Sequence, residues 1–166
     1  LSFGEFVKTL IDFDHTCTDE ICKQAFETLA FYQIATRISY LLENCRDKFN
    51  TLNNVGNNQI SERLLIIISD GRGIFSEGET IVNRTIKDLK NDNIFILFII
   101  MDTIRQENQS ISHIKVPIFH QNSDVPTIKS YLEMFPFPYY IVLRNINDLP
   151  DLLSSITRQW LELVIN

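Results

Sequence analysis

The chain has 166 residues, enough for one domain with a real core, and its 45% hydrophobic and 22% charged content is that of an ordinary globular protein. A net charge of −6, with basic residues scattered in no stripe, argues against nucleic acid as a main partner. No stretch approaches the roughly 20 consecutive apolar residues of a membrane span.

Cys17, Cys22 and Cys45 are odd in number and lack metal-ligand spacing, so they read as reduced thiols of an intracellular protein. No signal peptide is visible. The opening Leu1-Ser2-Phe3-Gly4 reads as the end of a strand, and the expectation is a piece of something larger.

Phe6–Phe13 is a β-prone run with partial alternation, expected to pair with Leu1–Phe3 as an edge hairpin through Gly4. Thr18, followed by Asp19 and Glu20, opens a short helix over Ile21–Leu29. Ala30–Ala35 is apolar and irregular. Ile38, Leu41, Leu42, Cys45 and Phe49 recur at helical spacing and predict an amphipathic helix over Thr36–Leu52, with Asn53–Asn58 a loop.

Leu64-Leu65-Ile66-Ile67-Ile68 has no alternation, so both of its faces are apolar, as in a central strand of a parallel sheet. The residues Ile81, Val82, Thr85, Ile86 and Leu89 give a second amphipathic helix, ending near Asn91-Asp92-Asn93. Ile94–Met101 is another unbroken apolar run, expected as a neighbouring, largely buried parallel strand that stops at Asp102. Thr103–Ser112 is polar and expected to be mobile. Ile114–Phe119 is a short extended piece, Pro126–Phe135 a short helix, and Phe135-Pro136-Phe137-Pro138 irregular. Tyr139–Leu143 is a third apolar strand. Asn147 or Asp148 caps a last helix, with Pro150 near its first turn and Leu152, Leu153, Ile156, Trp160, Leu161 and Val164 on its apolar face.

Strand and helix alternate from Leu64 onward. The expected fold is a single α/β domain over residues 1–166, a doubly wound, mostly parallel sheet with helices on both faces. An edge hairpin at the front leaves the middle of that sheet one partner short. A strand is therefore expected upstream of Leu1.

Two stretches carry candidate chemistry. At Ser69-Asp70-Gly71 polar groups arrive at the carboxyl end of a buried strand, where open α/β sheets place their ligands, and Asp70 is the leading candidate. Ser69 or Asp70 acting only as a cap of the turn is the alternative. The second stretch, Leu10-Ile11-Asp12-Phe13-Asp14-His15-Thr16, resembles the first motif of haloacid-dehalogenase-type phosphatases. That resemblance implies Asp12 as a nucleophile forming an aspartyl-phosphate, Asp14 as acid/base, a shared Mg²⁺, and Ser69 as the hydroxyl ending a second strand. The late acidic pair of that pattern is missing, since Met101-Asp102-Thr103 offers one acid. The plainer reading is a solvated loop after an edge strand, with Asp12 and Asp14 not catalytic. His15, His113 and His120 share no spacing and take no role.

Ser69-Asp70-Gly71 also resembles the third metal-binding loop of a von Willebrand factor A domain, a Rossmann-type fold. The resemblance implies a metal-ion-dependent adhesion site, fed by an Asp-x-Ser-x-Ser loop after the first strand, a threonine on a second loop, and an aspartate ending the fourth strand. Mg²⁺ takes about six oxygens, and hydroxyls with one or two carboxylates leave it net positive, so a partner's carboxylate can fill the open position.

The longer stretch Ser69-Asp70-Gly71-Arg72-Gly73-Ile74-Phe75, followed by Glu77-Gly78, resembles the C-terminal A-type domain of the midasin family of dynein-like AAA ATPases. Ile114–Phe119, Tyr131–Tyr140 and Leu149–Val164 agree in order. Ser2–Glu5 and Phe31–Thr36 agree more loosely. The resemblance implies Asp70 and Thr36 as metal ligands, Thr36 also being compatible with a plain helix cap, and Ser69, Gly71, Arg72 and Gly73 as partner-binding residues. For Arg72 a surface ion pair is the alternative. It implies no catalytic residue in this chain, the ATPase modules lying outside it. Its partners would be ubiquitin-like domains of assembly factors on the pre-60S particle, in the nucleolus and nucleoplasm, without direct nucleic-acid or membrane contact. No Asp-x-Ser-x-Ser occurs in this chain; the resemblance implies that this loop, with the first strand and the helix after it, lies upstream of Leu1, so Mg²⁺ is expected in a complete domain and not in this piece. A generic adhesion-type A domain would keep the fold and change the partner.

Overall fold

The computed structural model describes residues 1–29, 33–55, 62–102, 110–120 and 123–165. Among the described residues, helices α1 (Asp19–Glu27) and α2 (Ile38–Val55) are followed by strand β1 (Arg63–Ser69), helix α3 (Glu79–Asn91), strands β2 (Ile94–Met101), β3 (Lys115–His120), β4 (Ser123–Ser130) and β5 (Tyr140–Leu143), and helix α4 (Leu149–Ile165). The chain forms two compact units, Leu1–Ile60 with Gly73–Leu89, and Ser61–Arg72 with Lys90–Asn166.

In the first unit, Thr18 opens α1 as its sequence indicates, its hydroxyl accepting from the Ile21 amide. Helix α2 buries Ile38, Leu41, Leu42 and Cys45, the stripe given by their spacing. Burial pushes the Cys45 thiol up to about 11. Helix α2 runs on through Asn53-Asn54-Val55, where a loop is expected, and the rest of that expected loop lies outside the described residues. Helix α3 buries Val82, Thr85, Ile86 and Leu89, while Ile81 is exposed. The expected hairpin at the front does not form as two strands. Ser2 and Lys8 make one antiparallel bridge, and residues 9–16 are mostly bends and turns. The run there is β-prone, but Asp12 is drawn to Lys48 on α2 instead of to a neighbouring strand.

The second unit is built on a three-stranded parallel sheet of order β1-β2-β5. Leu64–Ile68 and Ile94–Ile100 are adjacent and parallel as expected, in the register Leu65↔Ile96, Ile67↔Phe98 and Ser69↔Ile100. The two exchange roles, however. Strand β2 is the middle one, buried from Ile96 to Ile100 on both faces, whereas β1 is an outer strand among the described ones and its Ile68 is 41% exposed. An unbroken apolar run reports that both faces are covered and says little about how many neighbours a strand has.

On one face of the sheet Leu97, Ile99 and Leu143 are buried under Leu149, Leu152, Leu153 and Ile156 of α4. On the other, the Phe98 ring meets Phe135 edge-on at 5.1 Å and Phe137 at 4.8 Å, so the proline-broken stretch is part of the core. Helix α4 follows directly on a 3-10 turn at Ile146–Asp148, so Asp148 immediately precedes its first residue, and the 3-10 turn itself is capped by Asn145. The Asn145 side chain accepts from the Asn147 amide.

The expected helix at Pro126–Phe135 is a further correction. Ser123–Ser130 is strand β4, antiparallel to β3, and only Tyr131–Met134 winds into a single 3-10 turn. Val125, Thr127 and Ile128 are β-branched and suit a strand, which outweighs Pro126 read as a helix start. Of the stretch expected to be mobile, residues 103–109 lie outside the described residues, while Ser110 and Ile111 are buried at the start of a 3-10 turn.

Phe98 is fully buried among aromatic rings and Phe119 is 73% exposed. Phe98→Ala is expected to destabilise the protein by about 3–5 kcal/mol. Phe119→Ala should cost no more than about 0.5 kcal/mol. Urea unfolding of the two variants checks the ordering.

Candidate functional site

Strand β1 delivers Ser69 and Asp70 to its carboxyl end, and the chain then turns sharply. Gly71 and Gly73 both have positive φ, 71° and 70°. At Gly71 a side chain is excluded twice. The backbone sits in the left-handed region, and an added Cβ would lie 3.1 Å from Ile111 and 3.2 Å from Ile100.

The turn is tied by its own side chains. Asp70 Oδ1 accepts from the Arg72 amide at 3.0 Å, and Ser69 Oγ accepts from the Gly71 amide at 3.4 Å. Asp70 thus caps the turn, as one sequence reading has it, while its side chain stays exposed to solvent. From below, the Tyr131 hydroxyl donates to the Gly71 carbonyl at 2.7 Å. Ile111 under Gly71 is itself fixed, its amide donating to Asp102 Oδ1 at 3.1 Å. Ser110 Oγ donates to the other oxygen of that carboxylate at 2.5 Å. Asp102, at the end of β2, is 5% exposed and anchors the 3-10 turn that floors the loop.

Within the other unit, Thr36 precedes α2. Its carbonyl accepts from Ser76 Oγ at 2.7 Å, and its hydroxyl faces the Cα of Gly73, where an added Cβ would lie 3.7 Å away. Glu77 holds the start of α2. Its Oε2 accepts from the Ser39 amide at 2.8 Å and its Oε1 lies 3.5 Å from Arg37 Nε. A carboxylate placed on the free amides of a helix N-terminus satisfies one of them and complements the helix dipole. The short 3-10 turn Ile74–Glu77 therefore fixes the backbone around Thr36 from 38 residues away.

Asp12 and Asp14 stand apart from this. Both Asp12 oxygens take Lys48 Nζ, at 3.0 and 2.8 Å, and this bond with the Phe13 amide holds the Asp12 carboxyl below its ordinary value. Asp14 Oδ1 lies 2.6 Å from His15 Nδ1. The phosphatase pattern needs its nucleophile at the end of a strand, and Asp12 leaves a segment of bends and turns.

Mg²⁺ takes about six oxygens. The two candidate ligands offer one carboxylate and one hydroxyl, and among the described residues no group of three or more His, Cys, Asp and Glu side chains is arranged to hold a metal. The described candidates, Asp70 and Thr36, do not by themselves supply that many oxygens.

Three contributors were not picked out in the sequence. Glu77 and Tyr131 act on partners 38 and 60 residues away, and no local pattern reports such a bond. Asp102 carries the same signal as Asp70, a polar residue ending an apolar strand, but it points into the protein instead of out.

No family model matches the chain. It is 27% identical over 161 residues to midasin of Dictyostelium discoideum, covering 97% of this chain and 3% of that protein. It is 29% identical over 166 residues to midasin of Giardia intestinalis, covering 98% of this chain and 3% of that one. The chain is thus similar to a short piece of midasin along nearly its whole length, and it spans about 3% of the curated relatives it matches. Among solved structures, the conserved hypothetical protein BatB from Bacteroides thetaiotaomicron superposes with a TM-score of 0.53 at 13% identity, over 87% of this chain and 70% of that one. That likeness speaks to the α/β fold alone.

Glu77→Ala removes the carboxylate from the start of α2 and should cost about 1–2 kcal/mol in chemical unfolding, with Glu77→Gln losing less. The Asp12–Lys48 pair gives an acid-side signature. A carboxyl held low in the folded state stabilises it above the ordinary carboxylate range, and that contribution is lost as pH falls through the lowered value, below about pH 4. Lys48→Met should flatten the loss of stability over that range in a pH series of thermal melts.

Proposed function

We propose that this chain is the protein-recognition module of a midasin-like AAA ATPase, folded as a von Willebrand factor A-type domain. In this reading it grips ubiquitin-like domains of assembly factors on the pre-60S particle in the nucleus. ATP hydrolysis in modules outside this chain then removes those factors. The observation that carries the reading is the near whole-length similarity to midasin, within which the Ser69–Gly73 loop holds an exposed carboxylate on a braced strand end.

Asp70 is the recognition residue, with Thr36 the second oxygen donor by the resemblance, and Ser69, Gly71, Arg72 and Gly73 shape the surface offered to the partner. The two strand-end glycines leave the backbone bare, which allows close approach. Mg²⁺ belongs to this reading only where oxygen ligands outside this chain complete the set. When bound, it supplies the positive charge that an acidic residue of the partner seeks.

The deciding experiment is Asp70→Ala in the complete protein, assayed for binding to an isolated ubiquitin-like domain with and without a chelator. Binding is expected to be lost to the same level that the chelator produces. The melting temperature should stay near wild type, because an exposed strand-end carboxylate contributes little to stability. Wild-type, chelator-sensitive binding by Asp70→Ala sinks the reading.

A further inference from the structure

The hydrogen bonds of the Gly71–Arg72 peptide carry a second inference, which rests on the recognition role proposed for Asp70. The carbonyl of this peptide belongs to Gly71 and its N–H to Arg72. The carbonyl accepts from the Tyr131 hydroxyl at 2.7 Å, and the N–H donates to Asp70 Oδ1 at 3.0 Å. A trans peptide is a rigid plane with C=O and N–H on opposite sides. Tyr131 and Asp70 therefore hold two ends of one stiff plate, and turning the plate at one end moves the other.

We propose that Tyr131 is a positioning residue for the recognition carboxylate. It fixes the rotation of the Gly71–Arg72 peptide and, through it, the direction in which Asp70 offers its second oxygen. Tyr131 is suited to this. It is 9% exposed, its own amide donates to the Ile114 carbonyl at 2.9 Å, and its ring lies beside Phe135. Gly71 has positive φ and could otherwise swing between conformations with little penalty. Donation to the carbonyl also polarises the peptide and strengthens the N–H bond to Asp70. Ile111 and Ile100 crowd Gly71 from the apolar side, and the Tyr131 hydroxyl holds its carbonyl from a separate element.

Tyr131→Phe removes one oxygen and keeps the ring. In the complete protein this variant should melt near wild type. By hydrogen exchange, the peptide covering residues 69–73 should exchange about tenfold faster, with β1 and β2 unchanged. Affinity for an isolated ubiquitin-like domain should fall about five- to tenfold. A role in packing alone would instead lower the melting temperature and speed exchange across both strands. Wild-type exchange over residues 69–73 overturns the inference, as does faster exchange with undiminished affinity beside an Asp70→Ala control that abolishes binding. If Asp70→Ala itself binds normally, the recognition reading fails, and the link from Tyr131 to recognition fails with it.

Discussion

The structure depends on a backbone constraint at Ile94–Met101. A strand whose side chains are buried on both faces has no water to satisfy its N–H and C=O groups, so it needs a partner strand on each edge. Strand β1 supplies one through seven paired positions and β5 the other through four. Both partners are parallel to β2, so three carboxyl ends come out at one side of the sheet. Ser69-Asp70, Asp102 and Leu143-Arg144 all end there by necessity. The Asp102 amide completes the arrangement by donating to the Leu143 carbonyl at 2.9 Å.

The two strand-end aspartates then divide the work by environment. Asp102 is buried, and both of its oxygens are taken by Ser110 and Ile111, so its charge organises a turn. Asp70 is exposed and spends one oxygen on its own turn, leaving the other toward solvent. Seven residues further on, Glu77 does a third kind of work at the start of α2. The stretch Ser69–Glu77 thus passes from a strand end of one compact unit to the helix brace of the other, the boundary falling between Arg72 and Gly73.

Much of this was legible in the sequence wherever the determinant is local. The unbroken runs at Leu64–Ile68 and Ile94–Met101 fixed two strands and their parallel pairing, and Thr18 fixed the start of α1. Polar residues closing an apolar run pointed to Asp70 as the end of a strand. What failed was decided by distant partners. Phe6–Phe13 has strand-like residues but, among the described residues, only a single bridge, Ser2 to Lys8, and Lys48 captures Asp12. Pro126 is compatible with a helix start, but the segment that holds it, Ser123–Ser130, pairs with β3 instead. Glu77 and Tyr131 look like ordinary surface and core residues until the fold brings their acceptors and donors close.

The β3–β4 hairpin shows Phe119, Val125 and Ile128 to solvent, each more than 60% exposed, which in an isolated two-stranded ribbon invites sheet growth between molecules. The register opposes it. Pro117 pairs with Ile128, and a proline without an N–H takes ladder positions whose donor would point away from the partner, here to the edge of β3 that no described strand occupies. The register irregularity between Ile118 and His120 interrupts the ladder opposite the stretch that holds Pro126, a further obstacle to regular sheet growth. A third strand arriving from another molecule along β3 would find a donor missing there. The hairpin can expose large apolar side chains and still be a poor seed for aggregation.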